Sequence, residues 1–297
     1  MKFLSTLRQD LKKTVGNYCF LICVLLAAGL CFTAIAYYNE EKGLSVTVLD
    51  AILYKSRAEM LKESSYSLSH IFSAASTGYL PMFLPMIAAF PFIPNFCSER
   101  NSGLIRMTIF RTGKYRYYFS KFLSAMLGGG LAVALGCGLY CAVSSFFFPL
   151  PESYPVNMEL VEMGLARIPT NSVCVTIALK TLLGGFCAGA VSTLLAFFFA
   201  SFVRNRYLIV CLPFMITYMY GSVLDKIVYG YYDNFTEAGF EKAQFLMAFY
   251  PSEVMSGWYT MHKNNYIAAI IIFNVALVVA ALTAFIVIMN NRTDLGE

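Results

Sequence analysis

Charged residues are scarce in this chain of 297 residues. Asp, Glu, Lys and Arg make up only 13% of it, whereas hydrophobic residues make up 58%. A soluble domain carries about 25% charged residues, because polar side chains must cover its surface. The composition therefore excludes an ordinary soluble domain, and the high hydrophobicity excludes an intrinsically disordered chain.

Residues and motifs that bind metals or nucleotides are also scarce. The chain has two histidines, His70 and His262, and its nine cysteines form no CxxC pair. Most of these cysteines lie in apolar stretches, which is typical of small apolar residues rather than of disulfides or metal ligands. The motifs HExxH and GxSxG do not occur, which argues against an intramembrane enzyme. GxxxxGKS/T is missing too, so we expect no ATP site and no cofactor in this chain.

Six apolar stretches are long enough to cross a membrane, for which a helix needs about 20 residues. They cover residues 17–38, 72–96, 119–148, 181–203, 207–224 and 266–289. The sequence therefore predicts an all-α integral membrane protein with six transmembrane helices. We expect short helical segments between the spans on the outer side.

Lysine and arginine are distributed unevenly around these spans. If both termini are cytoplasmic, the inner segments hold 13 of the 22 basic residues but only 4 of the 17 acidic ones. The positive-inside rule predicts this orientation. The net charge of +5 then results from the excess of basic residues in the cytoplasmic segments, and we expect no nucleic-acid partner.

Residues 1–16 have the pattern of an amphipathic helix. Apolar residues recur at spacings of three and four, at Phe3, Leu4, Leu7, Leu11 and Val15. Polar residues occupy the other side, at Arg8, Asp10, Lys12 and Lys13. The pattern predicts a helix in the inner interface of the membrane, in contact with lipids. The alternative is a short basic flank that only fixes the orientation.

The segment 97–121, between the second and third spans, holds six basic residues and one acidic residue. Gly103 permits a tight turn, and Gly113 breaks the helix that follows. A small apolar face is formed by Leu104, Ile105, Ile109 and Phe110. This pattern predicts a short amphipathic helix that projects from the membrane into a groove on a cytosolic partner. The alternative is a basic loop that merely obeys the positive-inside rule.

The pattern Glu99-Arg100, Gly103-Leu104, Arg111 and Ser120-Lys121 resembles the ABC-2 type transporter permeases. The resemblance implies that residues 97–121 are a coupling loop, residues 1–16 a connecting helix and residues 17–297 a six-helix transmembrane domain. The implied ATPase-coupling residues are Glu99, Arg100, Gly103, Leu104, Ile105, Arg106 and Arg111. The implied residues of the connecting helix are Phe3, Leu7, Arg8, Leu11 and Lys12. The family often has proline where Thr112 or Gly113 stands here.

The resemblance also implies an assembly and a location. Two permease copies, identical or related, would join two nucleotide-binding ATPase subunits that hold ATP and Mg²⁺, in a bacterial cell membrane. The chain is similar to small exporters of amphipathic peptides, such as phenol-soluble modulin exporters and lantibiotic immunity permeases. The expected cargo is therefore an amphipathic peptide such as a toxin or bacteriocin. A hydrophobic drug or a lipid is the alternative cargo, and a membrane sensor or assembly subunit is the alternative function.

Prolines and aromatic residues mark a possible pathway through the membrane. Each proline removes a backbone donor, so the second span should be kinked or unwound, as either a hinge or a static kink. The candidate hinge and pathway residues are Pro81, Pro85, Phe90, Pro91, Phe92, Phe198, Tyr218 and Tyr220. Charges at membrane depth are nearly absent, which argues against a proton- or sodium-coupled carrier. The glycines Gly128–Gly130, Gly185 and Gly189 predict close helix packing within the subunit, with a subunit interface as the alternative.

Overall fold

The fold is mostly helical, as a computed structural model shows. It describes residues 2–39, 44–154, 171–203, 205–232, 237–250, 253–260 and 264–294. Helices make up 83% of it. Five described helical segments are long and apolar enough to cross a membrane, or six if one bent pair counts as a span. These helices are consistent with a membrane-embedded protein, as predicted.

The described elements follow one another along the chain in a fixed order. They are α1 (Lys2–Val15), α2 (Tyr18–Cys31), β1 (Ile35–Asn39), β2 (Leu44–Thr47), α3 (Val48–Tyr54), α4 (Arg57–Met60), α5 (Leu68–Ala74), α6 (Leu80–Ala89), α7 (Ile93–Asn101), α8 (Leu104–Thr112), α9 (Lys114–Phe147), α10 (Asn171–Ala200), α11 (Arg206–Tyr232), α12 (Glu237–Met247), α13 (Glu253–Thr260) and α14 (Asn264–Asp294). Two short 3-10 helices lie at Ser64–Tyr66 and Pro151–Ser153.

The first predicted span, residues 17–38, is wrong in its second half. Helix α2 ends at Cys31, and β1 then pairs antiparallel with β2, so the described chain is not all-α. The ring of Tyr37 stacks on Tyr66 at 5.7 Å, which holds β1 against the segment before α5. The 14 residues of α2 extend about 21 Å, less than the hydrocarbon thickness of roughly 30 Å. Helices α1 and α2 meet at a bend of 63° and together form the possible sixth span.

The second predicted span, residues 72–96, is divided among three helices. Phe72 lies in α5, and the spanning segment itself begins at Leu80. It is broken between Ala89, where α6 ends, and Ile93, where α7 begins. The predicted kink or unwinding is therefore present, and Pro91 lies in the break.

The other four predicted spans correspond to α9, α10, α11 and α14. Helices α11 and α14 extend beyond the prediction at both ends. Helix α9 begins five residues early and ends one residue early, and α10 begins ten residues early and ends three residues early. Residues 155–170, in the expected outer segment between the third and fourth spans, lie outside the described residues. The predicted outer segments contain the hairpin, α3, α4, α12 and α13.

Two hydrophobic clusters divide the interior along the length of the bundle. The hairpin-side cluster contains buried residues of α2, β1, α5, α6, the second half of α9 and the first part of α10. The α8-side cluster contains buried residues of α7, the first half of α9, the end of α10, the start of α11 and the end of α14. Helices α9 and α10 run through both clusters. The division coincides with the end of α6, because Ala88 belongs to the first cluster and Ala89 to the second.

Glycines bring the long helices close together inside the chain, as predicted. A Cβ atom on Gly129 of α9 would lie 2.7 Å from the carbonyl oxygen of Ala88, and one on Gly189 of α10 would lie 2.8 Å from that of Gly129. On the other side of α9, a Cβ atom on Gly136 would lie 2.5 Å from the Cβ of Ala27. Helices α6, α10 and α2 therefore pack against α9 at distances that only glycine allows.

Candidate functional site

Helix α8 is bounded by two glycines in the left-handed region of backbone conformation. Gly103 has φ 72° and precedes α8, while Gly113 has φ 89° and separates α8 from α9. A Cβ atom at either position would have no heavy atom within 4 Å, so the backbone angle rather than lack of space favours glycine here. The predicted tight turn and the predicted helix break are both present.

The apolar residues of α8 point in two directions. Ile105 is buried and Ile109 is half-buried, and both pack on the α8-side cluster. Leu104, Met107 and Phe110 are 51%, 70% and 91% exposed. The predicted single apolar face is therefore two faces, one that fixes α8 to the bundle and one that is open.

Two basic residues near α8 are exposed, and a third is only partly described. Arg111 lies in the last turn of α8 and Arg116 near the start of α9, whereas the side chain of Arg106 lies outside the described residues. An apolar strip with a guanidinium group in the same helix is suited to a partner groove with an acidic rim.

Glu99 is held in an ion-pair network at the end of α7. Its Oε2 lies 2.5 Å from Nζ of Lys121, and its Oε1 lies 3.0 Å from Nζ of Lys13. Lys121 also lies 2.8 Å from Oδ1 of Asp10. These four residues, Asp10, Lys13, Glu99 and Lys121, are called the Lys121 cluster below. The cluster joins α1, α7 and α9 at the end of the bundle where α8 begins.

Burial makes the centre of the Lys121 cluster sensitive to change. Lys121 and Asp10 are 4% and 5% exposed, and the hydroxyl of Ser120 donates a further bond of 3.3 Å to Asp10. The ammonium of Lys121 also lies 5.5 Å from the ring centre of Tyr117. Removing one partner from such a buried pair leaves the other charge uncompensated.

One prediction about charge needs correction here. Asp10 was predicted on the polar, outward side of the N-terminal helix, but its carboxylate points into the bundle. Its partner Lys121, one of the basic residues assigned to the inner side, is buried near the start of α9. The ion pair between Asp10 and Lys121 was not predicted from the sequence. The available signal was that Asp10 continues the heptad-like series Phe3, Leu7 and Thr14.

Helix α1 packs along the first half of α9 on the side that carries Asp10. Phe3 and Phe119 are in ring contact at 6.0 Å, and Thr14 packs where a Cβ on Gly128 would lie 2.7 Å from its methyl group. Leu7 and Leu11 are half-buried, as the predicted apolar face requires, but Leu4 and Val15 are exposed. Arg8 and Lys12 are exposed on the opposite side, as predicted.

Arg100 ties α7 to the end of α10. Its guanidinium donates to the carbonyl oxygen of Ala200 and, at 2.5 Å, to that of Val203. Ala200 is the last residue of α10 and Val203 lies in the turn after it, where a cation interacts favourably with carbonyl oxygens at the end of the helix. Arg100 therefore connects the segment before α8 with the turn that leads into α11.

Three of the candidate pathway residues line one cavity, and the other five are dispersed through the bundle. Pro85, Phe198 and Tyr220 line a common apolar cavity among α6, α10 and α11. Phe92 is buried against Phe96 and Phe197. Phe90 packs against both hydrophobic clusters, and Tyr218 is exposed beside Phe214. Pro81 lies at the start of α6 and Pro91 in the break after it.

The described residues contain no group of three or more His, Cys, Asp and Glu side chains that could hold a metal ion. All nine cysteines are described as free thiols. No family model matches this chain, and no match was found among characterised proteins.

Proposed function

We propose that this chain is the membrane-spanning subunit of an ATP-driven exporter of the ABC-2 kind, and that a separate ATPase docks on α8. The single observation that supports this most is the open face of α8. A short helix with three adjacent large apolar residues, one of them Phe110 at 91% exposure, needs a partner to cover it. The orientation with both termini in the cytoplasm, taken from the lysines and arginines, puts this face on the side where ATP is available.

The way α8 is mounted supports a mechanical role. Ile105 and Ile109 anchor it to the α8-side cluster, and the adjacent residues Glu99 and Arg100 connect to α1, α9 and the end of α10. A movement imposed on α8 would therefore reach four helices through short, directed contacts. In the proposed mechanism, ATP-driven closure of two ATPase subunits displaces α8 and the helices attached to it as rigid bodies.

The composition of the proposed complex follows the family resemblance. Two copies of this chain, or one copy and a related chain, would assemble with two ATPase subunits in a bacterial cell membrane. ATP and Mg²⁺ would be held by those subunits. We propose an amphipathic peptide as cargo, since the spans are apolar and aromatic, with a hydrophobic drug or lipid as the alternative.

The first experiment is an affinity purification of the tagged chain from native membranes in several mild detergents. Mass spectrometry should find a protein with a P-loop in stoichiometric amount. The variant Phe110→Asp should lose this protein, because a carboxylate cannot enter an apolar groove without a large desolvation cost.

The matched control is Tyr54→Asp. Tyr54 is 79% exposed on the short helix α3, at the opposite end of the bundle, so this variant should retain the ATPase. If no P-loop protein accompanies the wild-type chain in any detergent, the docking proposal is wrong. The exposed segments would then fit a sensor or assembly subunit instead.

Glu99→Arg is a second test of coupling, with a known complication. Because Glu99 pairs with Lys121 and Lys13, this change disturbs the fold as well as the docking region. Transport by Glu99→Arg should therefore be compared at equal amounts of folded protein. Intact ATPase binding and transport in that comparison would exclude a coupling role for Glu99.

The cargo proposal needs reconstitution with the co-purified ATPase. An amphipathic peptide should stimulate ATP hydrolysis and accumulate on the far side of the vesicle membrane. If it does neither while a hydrophobic drug or lipid does, the transporter proposal stands and the peptide proposal fails.

A further inference from the structure

A cavity of about 440 Å³ lies among the helices on one side of the bundle. Helices α10, α11 and α14 form most of its wall, and residues of α6, of α13 and of the turn after α12 close the rest. Its lining is almost entirely apolar, with Val191, Leu195, Phe198, Leu277, Ala281 and Ala284 among the contributing residues. This volume is within the range of about 300–1,000 Å³ found for small-molecule sites.

Three of the polar side chains in the wall already donate hydrogen bonds within the protein. The hydroxyl of Thr217 donates to the carbonyl oxygen of Pro213 at 2.8 Å, and the amide of Asn274 donates to that of Ile270 at 2.8 Å. The hydroxyl of Tyr220 donates to the carbonyl oxygen of Phe249 at 3.3 Å. Water would therefore find few partners inside, and an apolar space of this kind stays dry or takes up an apolar ligand.

The arrangement of the helices leaves this space accessible from the membrane. Helices α11 and α14 each pack against α10, but within the described part of the chain they have hardly any direct contact with each other. They are also the two least buried of the candidate spans. Both helices line the cavity, so the cavity can open between them to the surroundings of the bundle, which in a membrane are hydrocarbon chains.

The length of the cavity matches one leaflet of a bilayer. Its lining on α14 extends from Phe273 to Ala284, which is about 16 Å along a helix. On α10 it extends from Ala188 to Phe198, which is about 15 Å. One leaflet accounts for half of a hydrocarbon core of roughly 30 Å.

We propose that this cavity is a binding site for a single alkyl chain of a membrane lipid, which enters laterally between α11 and α14. An empty apolar space forfeits dispersion contacts that a chain of matching length regains. The bilayer supplies such chains at high concentration directly beside the gap. The proposal goes beyond ATP-driven export and does not depend on it, because binding needs neither the ATPase nor the cargo.

The test uses the full chain in nanodiscs of phosphatidylcholine that contains a small fraction of lipid with a diazirine in its acyl chain. After illumination, mass spectrometry maps the cross-linked residues. Cavity residues such as Phe198 and Leu277 should be labelled about tenfold more than Leu25 on the exposed side of α2, a preference that corresponds to about 1.4 kcal/mol. Equal labelling of the cavity and of exposed membrane faces would overturn the proposal.

A pair of variants on α14 provides the matched comparison. Ala284→Phe places a ring in the cavity, whereas Val275→Phe places the same ring on the 55% exposed side of the same helix. Labelling inside the cavity should fall about tenfold in Ala284→Phe, a loss of about 1.4 kcal/mol, and stay unchanged in Val275→Phe. Labelling of Leu25 should not change in either variant, which shows that both remain folded in the bilayer.

Three results would contradict the assignment. The first is equal labelling of the cavity and of the exposed membrane faces in the wild-type chain. The second is unchanged cavity labelling in a folded Ala284→Phe protein. The third is displacement of the lipid label by a photolabelled amphipathic helical peptide that itself labels the cavity, because the space would then receive cargo rather than lipid.

Discussion

The ammonium of Lys121 lies 2.8 Å from the carboxylate of Asp10, although 111 positions separate the two residues in the chain. The pair is almost fully buried, and it fixes the N-terminal helix α1 to the start of α9. Glu99 makes the second contact with the same ammonium. The end of the bundle beside α8 is therefore held by directed charge pairs in addition to apolar packing.

Lys121→Met should destabilise the protein strongly. It removes the cation from two carboxylates, and among the described residues the hydroxyl of Ser120 is then the remaining side-chain donor to Asp10. Loss of one partner of a buried ion pair costs about 3–5 kcal/mol of unfolding free energy. Unfolding in mixed micelles, followed by circular dichroism, measures this loss. Lys62→Met is the control, since Lys62 is exposed and a surface change of this kind should stay within about 0.5 kcal/mol.

Asp10→Asn and Lys121→Met should not have additive effects. In the double variant both charges are gone, so neither is left buried without a partner. The double variant should therefore be less destabilised than the sum of the single variants, by roughly 1–3 kcal/mol. The full double-mutant cycle, measured in the same micelles, gives this coupling energy. Additivity within experimental error would show that the two residues act independently.

Gly103→Ala should destabilise the turn before α8. Gly103 has φ 72°, and a residue with a Cβ atom pays about 1–2 kcal/mol for this conformation. Gly29→Ala is the matched control, because Gly29 lies inside α2 with no heavy atom within 4 Å of the added Cβ. That change should instead stabilise the helix by about 0.5–1 kcal/mol. Opposite signs of the two changes in unfolding free energy are the expected result.

Gly129→Ala should force helices apart in the middle of the bundle. The added Cβ would lie 2.7 Å from the carbonyl oxygen of Ala88, which belongs to the backbone and cannot rotate away. Overpacking of this kind typically costs about 1–3 kcal/mol. Gly221→Ala in α11 has open space at the same position and should cause no loss. Thermal unfolding in detergent compares the two, and equal melting temperatures would contradict the close packing at Gly129.

Much of the fold could be predicted from the sequence because a spanning helix requires a long apolar run. The first span shows where this reasoning fails. Residues 32–38 are as apolar as a helix requires, but Ile35 and Tyr37 pair with a second strand and Tyr37 stacks on Tyr66. An apolar run alone does not distinguish strand from helix, and the partner strand is a tertiary contact.

The site was predictable to the extent that it depends on local backbone chemistry. Gly103 and Gly113 mark the ends of α8 in the sequence, and both have the positive φ that explains them. The direction of charged side chains was not predictable in this way. Arg100 reaches carbonyl oxygens about a hundred positions away, and Asp10 reaches across a comparable separation, so neither contact leaves a local pattern.

The division between the two hydrophobic clusters has a mechanical consequence. It occurs at the same level in three helices: at the end of α6, between Ala125 and Ala132 of α9, and between Ala188 and Leu194 of α10. Helix α9 carries Gly128–Gly130 in this interval, and α10 carries Gly189. Glycine lowers the resistance of a helix to bending. We therefore expect a torque applied at one end of the bundle to bend the molecule at this level.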